Sequence, residues 1–156
     1  MAVVDIIQEE DDMKAHEHHF ILWPRQWKKY LDTHNWQTYR LDTTEKDRIP
    51  NQSGVYSLFI QPGIANHPAC SYLMYVGQAK SLQRRFMDYL NERKRGTGRP
   101  KIYRFLNKYQ DYVWFCCTTV RKVDLTKVED NLLNAYIPPA NDQYPAEIRR
   151  IIGAFR

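Results

Sequence analysis

The chain lacks most of what would mark it as secreted, membrane-spanning or fibrous. Its 156 residues hold three cysteines, Cys70, Cys116 and Cys117, with no Cys-x-x-Cys pair. That excludes a disulfide framework and the spaced ligands of a structural zinc, and predicts buried, reduced thiols in a cytoplasmic protein. Cys116 and Cys117 fall in the apolar run Val113 to Val120, read as a core strand, so their side chains are expected on opposite faces. No apolar run approaches the roughly 20 residues that a membrane helix needs. The short apolar start is followed by acids, which is not the pattern of a signal peptide. There is no internal repeat, no low-complexity tract, and no histidine after His67. What is left is one folded domain with a net charge of +5.

Charge and apolar spacing divide that domain. Residues 1–19 carry Asp5, Glu9, Glu10, Asp11, Asp12 and Glu17 against Lys14 alone, an acidic segment expected to be mobile or loosely helical. His16, His18 and His19 lie in it with nothing to fix a metal geometry, and are read as a solvated tail. Residues 20–51 open on a helix from about Phe20 to Trp36. Pro24 falls in its first turn, and Trp23, Trp27, Tyr30 and Leu31 form a stripe that packs on the domain behind. Loop chemistry follows to Ser53.

The next segment organises the rest. Val55 to Ile60 and Tyr72 to Val76 read as two strands joined by a long hairpin loop, Gln61 to Ser71, that holds Pro62, Gly63, Asn66, His67 and Pro68. Ser81 caps a helix running to about Arg95, whose apolar face is Leu82, Phe86, Tyr89 and Leu90. Arg85 borders that face, whereas Arg84 points outward. From Lys80 to Lys108 there are ten lysines and arginines against Asp88 and Glu92, a local excess of eight. Lys80, Arg84, Arg93, Lys94, Arg95, Arg99, Lys101 and Arg104, with tyrosines between them and a Gly96-Thr97-Gly98 break, are the expected DNA-tracking surface. A solvated charged face is the competing reading.

Tyr112 to Val120 is the third strand, and Asp124 caps a helix from Leu125 to about Tyr136 with the stripe Leu125, Val128, Leu132, Leu133 and Tyr136. Glu129 sits inside that stripe. A carboxylate on an apolar face needs an arginine, a hydroxyl or a divalent cation. Ile137-Pro138-Pro139 ends the helix, and residues 144–156 close the chain as a helix with Ile148, Ile151 and Ile152 turned inward.

In order along residues 52–143, the motifs are Gly54-Val55-Tyr56, Tyr75-Val76-Gly77, Gln78 to Phe86 with Arg85, Glu129 to Leu133, and Pro138-Pro139-Ala140-Asn141. This ordered set resembles the GIY-YIG nuclease family. The resemblance implies an α+β fold with a small three-stranded antiparallel sheet flanked by helices. It also implies hydrolysis of DNA phosphodiesters with one magnesium or manganese ion. Carried over residue by residue, Glu129 matches the metal-binding glutamate and Arg85 the arginine that neutralises the scissile phosphate. Tyr56 and Tyr75 match the motif tyrosines, and Asn141 the asparagine that closes the site. Of the tyrosines, Tyr56 is favoured as acceptor of the water's proton. Two features depart from the pattern. Tyr56 and Tyr75 stand further apart than is usual, and no histidine follows the arginine helix, so that Tyr89, Arg99 or Lys101 would serve in its place.

Family members act in restriction, intron homing, excision repair and branched-DNA cleavage. The expectation here is a compact restriction or phage-defence endonuclease, with DNA as partner and further protein subunits. A non-catalytic DNA-binding or assembly module on the same fold is the alternative. A third reading, a structural protein in which Glu129 and Arg85 simply pair, requires the two to touch with no open cleft.

Overall fold

A computed structural model describes residues 6–63, 67 and 69–154. The expectations for Asp5, for Asn66 and Pro68 of the hairpin loop, and for Phe155 at the end of the chain lie outside the described residues. Four strands form one antiparallel sheet in the order β1 (Gln37–Arg40), β4 (Val113–Thr119), β2 (Gly54–Ile60), β3 (Tyr72–Ala79). The three strands expected from sequence form the body of this sheet. The fourth, β1, pairs with β4 from Gln37 opposite Cys117 to Arg40 opposite Trp114. It is only Gln-Thr-Tyr-Arg with Tyr39 alone buried, a short polar edge that carries no hydrophobic alternation to read.

Alternation along β2 and β4 assigns two faces. Tyr56, Leu58, Ile60, Phe115 and Cys117 face α3 (Leu82–Arg95) and α4 (Pro100–Lys108), whose Leu82, Phe86, Tyr89, Ile102, Phe105 and Leu106 complete the main core. Val55, Val76 and Val120 face α5 (Leu125–Tyr136), meeting Leu125 and Leu133. Cys116 and Cys117 therefore do part, Cys117 into the main core and Cys116 half-buried behind it. Cys70, expected buried, is exposed in the hairpin loop, and all three thiols are free.

The register slips between Leu58 and Phe59: Leu58 stands opposite Tyr75 and Phe59 opposite Leu73, leaving Met74 as the extra residue. Bulges of this kind re-aim neighbouring side chains. Here Met74 and Tyr75 both reach the main core, although they are adjacent in the chain.

Four helix expectations need correction. The helix over 20–36 shrinks to α2 (Pro24–Trp27). Beyond it Asp32 takes over, accepting from the His34 backbone N–H at 2.9 Å and from the Trp36 indole. Such local Asp bonds compete with helix. Leu31 is left 89 % exposed, while Trp27 donates to the Ala135 carbonyl at 2.6 Å. The acidic segment does form α1 (Ile6–Ala15), with no buried residue. Asp124 does not cap α5. It ends a 3-10 turn in helical conformation, and its carboxylate is held by Arg121 at 2.7 and 2.8 Å. Tyr136 and Ile151 are exposed. The chain turns away at Ile137, and α6 (Ala146–Ile152) has room for only Ile148 and Ile152 on its inner face.

Candidate active site

β3 is an edge strand, and the site wraps around it. Tyr75 emerges from the α3 side and Glu129 from α5 on the other, yet both line one cleft of about 560 Å³ with Arg99, Asp130 and Asn141. The loop beyond α5 is tied to the edge as a further strand would be. The Ala140 N–H donates to the Met74 carbonyl at 2.9 Å. The Asn141 amide brackets Val76, accepting from its N–H at 3.0 Å and donating to its carbonyl at 2.8 Å. Asn141 is buried with both amide atoms engaged, so its work here is to hold β3 and α5 together.

Gly77 makes the tyrosine arrangement possible. A Cβ there would sit 2.6 Å from the Tyr56 hydroxyl and 2.8 Å from the Tyr75 ring. With that space open, the Tyr56 and Tyr75 rings approach to 6.1 Å between centroids, and Tyr56 stacks on Phe115 at 5.0 Å. The Tyr56 hydroxyl meets the Tyr89 hydroxyl at 2.7 Å. Arg99 then joins the set, donating from one guanidinium nitrogen to Tyr75 at 3.0 Å and from the other to Tyr89 at 3.4 Å. Its guanidinium lies 5.0 Å over the Tyr75 ring.

Both motif tyrosines are buried, Tyr75 at 7 % exposure. Tyr56 is 1 % exposed, and desolvation, with the neighbouring phenols, pushes its ionisation far above the usual range. Tyr56, favoured from sequence as acceptor of the water's proton, is the more enclosed of the two. Its oxygen is enclosed against Tyr89, and Tyr75 is the phenol that opens on the cleft. Tyr89 is likewise pushed up by burial.

Glu129 is half-buried, and desolvation pushes its carboxyl above the ordinary range; Gln78 opposes this by donating to one carboxylate oxygen at 2.7 Å. No cation pairs with Glu129 among the described residues. No group of three His, Cys, Asp or Glu gathers there either. A buried carboxylate with one polar partner fits a divalent ion that takes its remaining ligands from water and phosphate oxygens, as magnesium does. His16 and His18, the other metal candidates of the sequence, instead meet the Tyr109 hydroxyl at 2.8 and 3.1 Å.

Arg85 lines an adjoining groove with Gln78, Lys80, Arg84 and Lys122. Its Nε is buried without a hydrogen-bond partner, and its terminal nitrogen stands 3.8 Å from Asp88. Among the described residues Arg85 and Glu129 do not pair, which removes the structural-pair reading. Gln78 lines this groove and donates to Glu129 of the cleft, a role that the sequence reading did not assign to it. Strand alternation was the available signal, since Val76 and Gln78 share the α5 face. Lys122, in the same groove, lay outside the basic run.

The expected DNA surface divides. Lys80, Arg84, Lys94, Arg95, Arg99, Lys101 and Arg104 are exposed, and Arg93 is half-buried. Arg93 donates to the carbonyls of Leu41 and Gln110 at 3.0 and 3.1 Å. Lys101 also pairs with Asp142 at 2.6 Å, and Arg99 donates to the Tyr75 hydroxyl. No helix among the described residues is long and apolar enough to cross a membrane.

No protein-family model matches the sequence, and no curated protein matches it. Solved structures of the GIY-YIG N-terminal endonuclease domain of UvrC from Thermotoga maritima are similar to it. A point mutant bound to its catalytic divalent cation is 23% identical, with a TM-score of 0.45 over 64% of this chain and 93% of that one. The magnesium-bound form is 24% identical, also at 0.45, over 63% and 92%. The motif order of this chain, and the antiparallel sheet that carries it, resemble those of GIY-YIG nucleases.

Proposed function

We propose that the protein is a metal-dependent endonuclease that hydrolyses DNA phosphodiesters at the edge of β3. The observation that carries this is Glu129: a carboxylate held half-buried by one amide, in a cleft that also takes a tyrosine and an arginine. Glu129 would hold the divalent ion, which supplies Lewis-acid stabilisation of charge on the phosphate. Arg85, with its unpartnered Nε, neutralises the same phosphate from the adjoining groove. Tyr75 takes the proton of the attacking water while the bond from phosphorus to the leaving sugar oxygen breaks. Solvent protonates the oxygen that leaves. Lys80, Arg84 and Lys122 grip flanking phosphates, and Lys94, Arg95 and Arg104 extend that grip along α3 and α4.

The finer reading is a compact restriction or phage-defence nuclease working with partner subunits. Exposed Leu22, Trp27 and Leu31 beside an aromatic pocket on the far face of the sheet support the partners. The test is supercoiled plasmid with magnesium, alongside linear, branched and single-stranded substrates. The expected result is nicking or linearisation that chelation stops and Glu129→Ala abolishes. If Glu129→Ala cuts as well as the parent, the site is wrong. Binding without cleavage of any substrate would instead favour the assembly module.

A further inference from the structure

Within the basic run, Arg99 bonds to the hydroxyls of Tyr75 and Tyr89. We propose that Arg99 is a positioning residue for hydrolysis, holding Tyr75 on the cleft and tying it to Tyr89. This rests on the reading of Tyr75 as proton acceptor, and it removes Arg99 from the phosphate-tracking surface.

The backbone is built to deliver Arg99. α3 ends at Gly96 with φ 69°, its N–H returning to the Glu92 carbonyl at 3.0 Å. Gly98, with φ 132°, turns the chain again, and Pro100 starts α4 directly after Arg99. Both glycine conformations are ones that side chains rarely adopt. Space enforces the second as well, because a Cβ on Gly98 would lie 2.6 Å from a Glu92 carboxylate oxygen. That oxygen is buried without a hydrogen-bond partner, and the Arg99 charge opposes the upward push of burial on the Glu92 carboxyl. The turn thus sets the guanidinium beside Glu92 and the two phenols, although the residue as a whole is exposed.

A planar fork suits this place. Two nitrogens reach two phenol oxygens, at 3.0 and 3.4 Å, which a lysine ammonium cannot reproduce in the same geometry. A cation bonded to a phenol oxygen favours its charged form and fixes its direction. The other charged groups around Tyr75 are Glu129 and Asp130 on α5, Asp142 and Arg149 beyond it, and Arg85 and Glu92 on α3.

The experiment compares parent, Arg99→Met, Arg99→Lys and Arg104→Met in plasmid cleavage and in DNA binding at several salt concentrations, with Glu129→Gln in parallel. Melting curves check that each variant folds. Arg99→Met should lower kcat by about 100-fold, the lower end of what proton-transfer groups contribute. DNA affinity should change by less than about 3-fold with an unaltered salt slope, a removed phosphate contact being expected to lower that slope by about one. Free guanidinium should restore part of the rate, and Arg99→Lys should fall between the parent and Arg99→Met. Arg104→Met should weaken binding and lower the salt slope. If Arg99→Met loses affinity and salt slope as Arg104→Met does, and free guanidinium restores no rate, Arg99 is a phosphate contact and the assignment is overturned. Full activity in Arg99→Met overturns it too. A parent that cuts nothing, or a Glu129→Gln that cuts normally, instead overturns the reading of the site itself.

Discussion

The two sides of the cleft are built on opposite terms. On the tyrosine side, Tyr75, Arg99, Tyr89 and Tyr56 form an unbroken chain of hydrogen bonds, with Gly77 leaving the space for it. On the carboxylate side, Glu129 has one amide partner, and Arg85 keeps a buried Nε with none. A satisfied network rigidifies, while an unsatisfied polar group costs stability and is usually kept for function. The chain therefore stores its instability where ion and phosphate would bind, and its rigidity where a proton acceptor must be aimed.

Glu129→Gln breaks this comparison most sharply. Cleavage should fall by at least about 100-fold, since even the outer partners of metal ligands are worth 10–100-fold. The variant should nevertheless melt higher than the metal-free parent at neutral pH. Burial raises the Glu129 carboxyl in the folded state, so its favourable contribution is present at acidic pH and is lost as pH rises through that raised value. Removing the charge removes that loss, and the advantage should vanish at acidic pH. Magnesium should raise the melting temperature of the parent and leave Glu129→Gln unmoved. Thermal melts across pH, with and without magnesium, check each part.

The rigid side should respond with stability instead. Asn141→Ala strips Val76 of both partners and should cost about 1–3 kcal/mol for each backbone group left unpaired. Gly77→Ala forces a methyl against two buried rings that have no room to move. It should cost about 1–3 kcal/mol as an overpacked core does, and lower cleavage with it by displacing Tyr75. Denaturant unfolding of both variants decides whether the hinge between β3 and α5 carries the load assigned to it.

Much of this was legible in the sequence. Ser81 accepts from the Arg84 N–H at 3.2 Å, Gly96 ends α3 in a left-handed conformation, and Leu82, Phe86, Tyr89 and Leu90 are all buried. Helical period and cap chemistry are local, so they survive folding. The bonds of Arg99 to Tyr75 and Tyr89 were not legible. Arg93, Arg99 and Arg104 look alike in a basic run, and only the glycine turn and the packing of α4 decide that one braces a loop, one meets tyrosines and one faces solvent. Tyr56 and Tyr75 look equivalent as motif residues. The bulge at Met74 and the edge position of β3 set them apart, and both depend on strand pairing. The segment after Trp27 misled because its aromatic spacing is helical, while Asp32 offers the backbone a competing turn.

The smallest expected effect tests that last distinction. Tyr56→Phe keeps the ring, its stacking on Phe115 and the space made by Gly77, and removes only an oxygen bonded to Tyr89. Stability should fall by about 0.5–1.5 kcal/mol, the net worth of one hydrogen bond. Cleavage should change by less than about 10-fold, because Tyr89 keeps its bond from Arg99 and Tyr75 is untouched. Tyr75→Phe removes the oxygen that opens on the cleft and should cost about 100-fold or more, within the range of general acid–base groups. Both rates are measured at saturating magnesium and DNA, so that binding does not mask them. If the two variants lose rate equally, Tyr56 reaches the water after all, and the sealed packing of its oxygen must open during turnover.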